Sequence, residues 1–205
     1  MRRCALLLAA AWLALSSQEP ARAADPRNPD WPCAQVKVPE ISLAAVWAGP
    51  PLDDVGNSWE DDPKIKDLVA RLAARRVPLE EAQKSAADFL AAAGDHRQET
   101  AKLVFAGLFA TLNRVRSEVI EGIERYTRRQ RTFVERIRAN TLKLRALQDA
   151  HDPDQKQIDE LGEQLQWDTR IFEDRRRTIG AVCEVPQGIE KRLFALGRTI
   201  QQALE

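Results

Sequence analysis

Between Arg97 and Ala150 the chain contains no proline. Its apolar residues there recur at steps of three and four: Phe105, Leu108, Leu112, Val115, Val119, Ile123, Tyr126, Phe133, Ile137, Leu144 and Leu147. That is the period of a helix with one buried stripe. At 1.5 Å per residue an unbroken helix over this span would be about 80 Å long, well beyond the ordinary globular helix. A helix of that length buries its stripe only if something lies along it, so the rest of the chain is read as what packs on it or folds back onto it.

The stripe changes character along its length. The segment Leu103 to Leu112 (LVFAGLFATL) is apolar nearly all round and is too short to cross a bilayer. It reads as the buried centre of a small helical head. Beyond Val115 the stripe narrows to a seam. The steps through 112, 115, 119 and 123 add to eleven residues, a stutter that locally unwinds a left-handed supercoil before heptads resume. The seam then runs Tyr126, Gln130, Phe133, Ile137, Asn140 or Thr141, Leu144 and Leu147, a coiled-coil pattern with polar interruptions.

His151-Asp152-Pro153 ends the long helix, with Asp152 as cap and Pro153 as the first residue of a new one. The new helix repeats as Ile158, Leu161, Leu165, Asp168, Phe172, Arg175, Ile179 and Val182. So short a turn makes the two helices antiparallel neighbours, with residue i roughly opposite residue 303−i. Charge points the same way. Residues 125–145 hold eight bases and one acid (Glu135), whereas residues 152–174 hold eight acids and two bases (Lys156, Arg170). A basic helix folded on an acidic one is the economical arrangement, and Arg136 should approach Asp168. Val185-Pro186 should break the return helix, and a last helix from Pro186, with Ile189, Leu193, Leu196, Ile200 and Leu204, should cover Leu103–Leu112.

Two short helices precede the long one. Asp61 or Asp62 caps the first, Pro63 opens it, and Ile65, Leu68, Val69 and Leu72 form its face. Pro78 opens the second, which carries Leu79, Ala82, Ala86, Phe89 and Leu90 and closes at Gly94. Upstream, residues 25–62 hold six prolines and the tryptophans Trp31, Trp47 and Trp59. Prolines at that density favour extended and turn conformations, and the indoles are candidate anchors in grooves, either of this chain's own helices or of a partner. The acidic run Asp53, Asp54, Glu60, Asp61 and Asp62 reads as turn and cap chemistry, because it lacks the glycine and spacing of a calcium loop.

The N-terminus reads as an address. Arg2 and Arg3 form a basic n-region, Cys4–Leu15 an apolar h-region, and Ala21-Arg22-Ala23 a small-x-small cleavage site. The expectation is a signal peptide over 1–23, a mature chain from Ala24, and a periplasmic location with no transmembrane segment. Cleavage would remove three of 31 basic and one of 31 acidic residues, leaving a slightly acidic chain that is ill suited to bulk nucleic-acid binding. Of the remaining cysteines, Cys33 and Cys183, the expectation in an oxidising compartment is a structural disulfide. A redox or metal pair fits less well, with no CxxC and with His96 and His151 far off in sequence.

The predicted architecture is therefore all-α: an extended Pro/Trp-rich arm over 24–60 and a helical domain over 61–205. From the small helical head of that domain a two-helix coiled-coil hairpin, about 118–183, protrudes. No GxSxG, P-loop, HExxH or CxxCH motif is present, and neither histidine sits in a nucleophile motif; the chain reads as a non-enzyme with no cofactor and no metal site. One cluster stands out. The 303−i register brings Arg175, Arg176 and Arg177 opposite Arg125, Arg128 and Arg129, with Arg131 close by, an arginine patch suited to anions or to partner docking. The functional expectation is an exported helical interaction or scaffold protein that presents its hairpin to a periplasmic protein. The alternatives are a binding module for an anionic small ligand or metal, and a membrane-surface protein using the arginines on anionic lipid. A two-helix seam buries little by itself, so self-association is open.

Overall fold

The computed structural model describes residues 27–205, and the signal-peptide reading lies outside them. Among the described residues the regular structure is helical, with no strand: α1 (Leu43–Val46), α2 (Pro63–Ala73), α3 (Leu79–Ala92), α4 (Arg97–Gln148) and α5 (Gln155–Gln202). Single 3-10 turns occur at Ser58–Glu60 and Gly94–His96. No helix among the described residues is long and apolar enough to cross a membrane.

Local chemistry sets the ends. Asp62 accepts a hydrogen bond from the Lys64 amide at 2.8 Å, and Pro63 fills the first turn, where an N–H would be unsatisfied in any case. Gly94, at φ +54°, takes the left-handed conformation that lets α3 end and α4 begin at an angle. The cap of α5 lies two residues later than the sequence pattern indicated. Asp154, not Asp152, accepts from the Gln157 amide, leaving Pro153 in the connection.

Helix α4 spans 52 residues, and α5 lies along it antiparallel. Three contacts give the register. The Arg116 Nε donates to Glu190 Oε1 at 2.6 Å, the Tyr126 hydroxyl donates to the Arg175 carbonyl at 3.1 Å, and Arg136 meets Asp168 at 3.3 Å. Each pair falls within a few residues of the 303−i line.

Pro186 does not end a helix. Helix α5 continues through it to Gln202, and the expected separate last helix is the second half of α5. Proline removes one N–H and crowds the preceding turn, a cost of about 3 kcal/mol in an isolated helix. Here both halves are held in line by the same straight neighbour. Glu190 is tied to Arg116 and Arg175 to Tyr126 on either side of the proline, and Gln35 of the arm donates its side-chain amide to the Cys183 carbonyl.

The main core sits where α2, α3, the first third of α4 and the last third of α5 converge, around Leu68, Leu72, Leu90, Phe105, Leu108, Leu112, Leu193, Leu196 and Ile200. Ala82 and Ala86, fully buried, let α3 approach closely. The arm closes this core. Val46 and Trp47 belong to it, and Trp47 stacks on Phe105 with centroids 4.2 Å apart.

Two glycines inside helices take their reason from the arm. A Cβ on Gly107 of α4 would stand 2.6 Å from the Trp59 ring, and one on Gly197 of α5 would stand 2.7 Å from the Val46 carbonyl oxygen. Gly188, also in α5, faces open space. Gly107→Ala and Gly197→Ala should each lower stability by about 1–3 kcal/mol through overpacking. Gly188→Ala should leave it unchanged or raise it, since alanine is the better helix former. Thermal unfolding followed by circular dichroism at 222 nm separates these outcomes.

Candidate functional site

Beyond the head, burial along the hairpin falls away. Past Ile123 on α4, and before Cys183 on α5, only Leu165 and Asp168 are buried. The seam residues Tyr126, Phe133, Ile137, Leu144, Ile158, Leu161, Phe172 and Ile179 are half-buried. One side of this hairpin is covered by the arm as far as Arg131, and among the described residues nothing covers the other.

The covered side is pinned by the Cys33–Cys183 disulfide, with Cα atoms 5.6 Å apart. Closing a loop across a sequence separation of 150 stabilises the fold by up to roughly 5 kcal/mol through lost chain entropy. Trp31, 4% exposed, packs on Ile120 and Ile123 beside the disulfide and donates its indole N–H to the Gln35 carbonyl at 2.7 Å. Lys37 pairs with Glu124. Arg116, a guanidinium only 3% exposed, also donates to the Pro39 carbonyl at 3.1 Å. The arm is therefore ordered against its own hairpin. It is not extended throughout, because Leu43–Val46 forms one helical turn.

The seven arginines of the patch divide into paired and unpaired. Arg128 meets Asp30 at 2.9 Å, and Arg131 meets the same carboxylate at 3.0 Å and the Pro29 carbonyl at 2.8 Å. Asp30, absent from the sequence-based patch, thus takes up two of them. The Arg128 hydrogen bond, with Arg131 adding to it, holds its carboxyl below the usual range. Arg125 pairs with Glu121 and Arg177 with Asp174, each within its own helix. Arg175 lies over the Phe133 ring at 5.3 Å, with Arg136 on the same ring at 4.6 Å. Arg129 and Arg176 are exposed and have no acidic partner among the described residues.

The opposite net charges of α4 and α5 do not zip the hairpin together. Arg136–Asp168 is the single ion pair between residues 125–145 and 152–174. Lys143, Arg145, Glu163 and Glu173 carry none among the described residues, and Glu160 reaches only Lys156 within α5. On the half-buried seam the apolar residues come together, and the longer charged chains are left pointing outward into water.

On the open side two separate grooves lie between the helices. One, near the head, is lined by Val119, Gly122, Ile123, Tyr126, Thr178, Ile179 and Val182, and the other, near the tip, by Lys143, Leu147, Gln157 and Glu160. Trp167 stands 63% exposed between them, with the Arg170 guanidinium 5.6 Å from its ring.

A buried lysine and a half-buried arginine hold the head. Lys102 bridges Asp54 of the arm at 2.7 Å and Glu99 at 3.3 Å, and its ammonium is shifted upward, chiefly by the Asp54 hydrogen bond. Arg192 donates to the Leu72 and Val77 carbonyls, capping the end of α2 from α5, and burial lowers its pKa. Sequence reasoning missed Arg116 and Arg192. Their signal was a basic residue at a position continuing the apolar stripe.

His96 and His151 lie exposed in connections. Among the described residues no group of three or more His, Cys, Asp or Glu side chains is placed to hold a metal ion. Comparison with protein-family models, with curated protein sequences and with solved structures finds no match to this chain.

Asp30 gives the arm a pH dependence. Its carboxyl is depressed, so its contribution is fully present above the unfolded value near 4 and is lost as pH falls through the lower folded value. The Trp31 indole N–H resonance should therefore shift on acidification with a midpoint below pH of about 4. In Asp30→Asn the shift should be absent at that pH, and the disulfide should remain intact. An unchanged titration in the variant would remove Asp30 from the clasp.

Proposed function

We propose that this chain is an exported interaction protein that presents its α4–α5 hairpin, through the arginines about its middle, to an acidic surface on a partner protein. The observation that carries the reading is the division of those arginines. The arm's Asp30 takes up Arg128 and Arg131, yet Arg129 and Arg176 are left exposed without acids on a hairpin that adds almost nothing to the core. Two-helix hairpins are marginal by themselves, and a chain that extends one past its core gains surface, not stability. Guanidinium groups suit carboxylate recognition because their planar fork matches it bidentately. The disulfide accords with an oxidising compartment and so with export.

A photo-crosslinking residue at Thr132, exposed among these arginines, reports on contact in living cells. The parent chain should give a discrete adduct with another protein. Replacing Arg129, Arg175 and Arg176 by Gln should reduce it at least about tenfold while leaving the melting temperature nearly unchanged, since surface substitutions cost within about 0.5 kcal/mol. The adduct should also weaken as salt rises, because exposed charges are screened within about 10 Å at 0.1 M. An adduct of equal yield in the triple variant at low and high salt would overturn the reading. Crosslinking to anionic vesicles in place of protein would transfer it to a membrane surface.

A further inference from the structure

The open side of the hairpin has the composition of an interface, and its charge pattern fits one occupant in particular. At 3.6 residues per turn Trp167, Ile171, Thr178 and Val182 fall within about 60° of one another on α5. The three apolar members are 63%, 37% and 41% exposed. Across one groove from Thr178 and Val182, α4 offers Gly122 and Tyr126. The arm's contacts on α4 begin at Ile123, about 60–100° round the helix from these two, and the rest (Ile120, Glu124, Arg128, Arg131) lie roughly 120–180° away, so the disulfide clasp borders this side without covering it.

We propose that two copies of this chain pair along the open sides of their hairpins, about a two-fold axis parallel to the hairpin, forming a four-helix bundle. This rests on the reading of the hairpin as an interaction element and names a second copy as one of its partners. Around such a bundle each α4 lies between its own α5 and that of the other copy, antiparallel to both, so the 303−i register applies twice. Basic and acidic helices then alternate. Arg129 of one copy comes level with residue 174 of the other, an aspartate, and Lys143 with residue 160, a glutamate. Within one chain Lys143 has no ion pair, although Glu160 lines the same groove. Trp167 comes level with residue 136 of the other copy, an arginine, one turn from the half-buried Phe133. A different partner would need to present a helical hairpin with acid and base in this same order and spacing. A second copy does so by construction.

Sedimentation equilibrium on the full chain with its disulfide intact tests the pairing. The expected mass is twice that of one chain, with a dissociation constant that rises several-fold between low and high salt. Trp167→Glu with Ile171→Glu should weaken association at least about 100-fold with helical content retained. If that variant fails to fold, a charge exchange replaces it: Arg129→Glu with Lys143→Glu in one chain, and Glu160→Lys with Asp174→Lys in another. Each alone should be monomeric, and an equimolar mixture should recover a one-to-one dimer. A monomeric parent chain up to roughly 100 µM overturns the pairing, as does a dimer that is indifferent to both sets of variants. A monomer that still loses its Thr132 adduct with the arginines removed would sink the pairing and leave the proposed function standing. A dimer that gives no foreign adduct would do the reverse.

Discussion

The structure depends on one long contact, the antiparallel packing of α5 against α4. Arg116–Glu190, Tyr126–Arg175 and Arg136–Asp168 lie along it from head to mid-hairpin, and they hold a single register over most of both helices. Because that neighbour is continuous, α5 carries Pro186 without breaking, and the end of α5 arrives over the apolar first third of α4. The head core, the cap that Arg192 places on α2, and the position of Cys183 all follow from this register.

The arm is the second structural layer, and it works through shape as much as through burial. Trp47 slides over Phe105 and Trp59 lies against Gly107, while Val46 sets its carbonyl on Gly197. Glycine inside a helix costs about 1 kcal/mol relative to alanine, which is offset where its missing Cβ admits an indole or a backbone. Farther out, the disulfide and the Asp30 clasp extend the arm along one side of the hairpin only. This one-sidedness gives the hairpin a covered face and an open face, and so a direction in which it can meet other molecules.

Charge plays a different part from packing. The two helices of the hairpin carry opposite net charge, yet one ion pair joins residues 125–145 to 152–174, because exposed pairs gain little against the entropy of ordering two long side chains. Their opposite sign therefore adds little to the cohesion of the hairpin and leaves unmatched groups at the surface. The few charges that are buried, Arg116, Lys102 and Asp168, are each matched by a partner, as burial requires.

Much of this was legible in the residues themselves. Helical periodicity, prolines at the starts of α2 and α3, Gly94 at a helix end and the all-α class follow from local stereochemistry, which acts within a few residues and needs no knowledge of neighbours. The Cys33–Cys183 pairing followed from there being two cysteines outside the segment read as a signal peptide, and the Arg136–Asp168 approach from counting back from a short turn. What the sequence could not decide depended on contacts between distant segments. Pro186 reads as a helix end until a continuous neighbour holds both sides of it. Arg128 and Arg131 read as part of an open patch until Asp30, some hundred residues away, is brought against them. Nothing in the sequence accounts for Gly107 and Gly197 inside helices, and only the arm packed against them shows why a side chain is missing there. In each case the local preference was real but small, a few kcal/mol at most, and tertiary packing supplied a term of the same size acting at a distance that sequence periodicity does not encode.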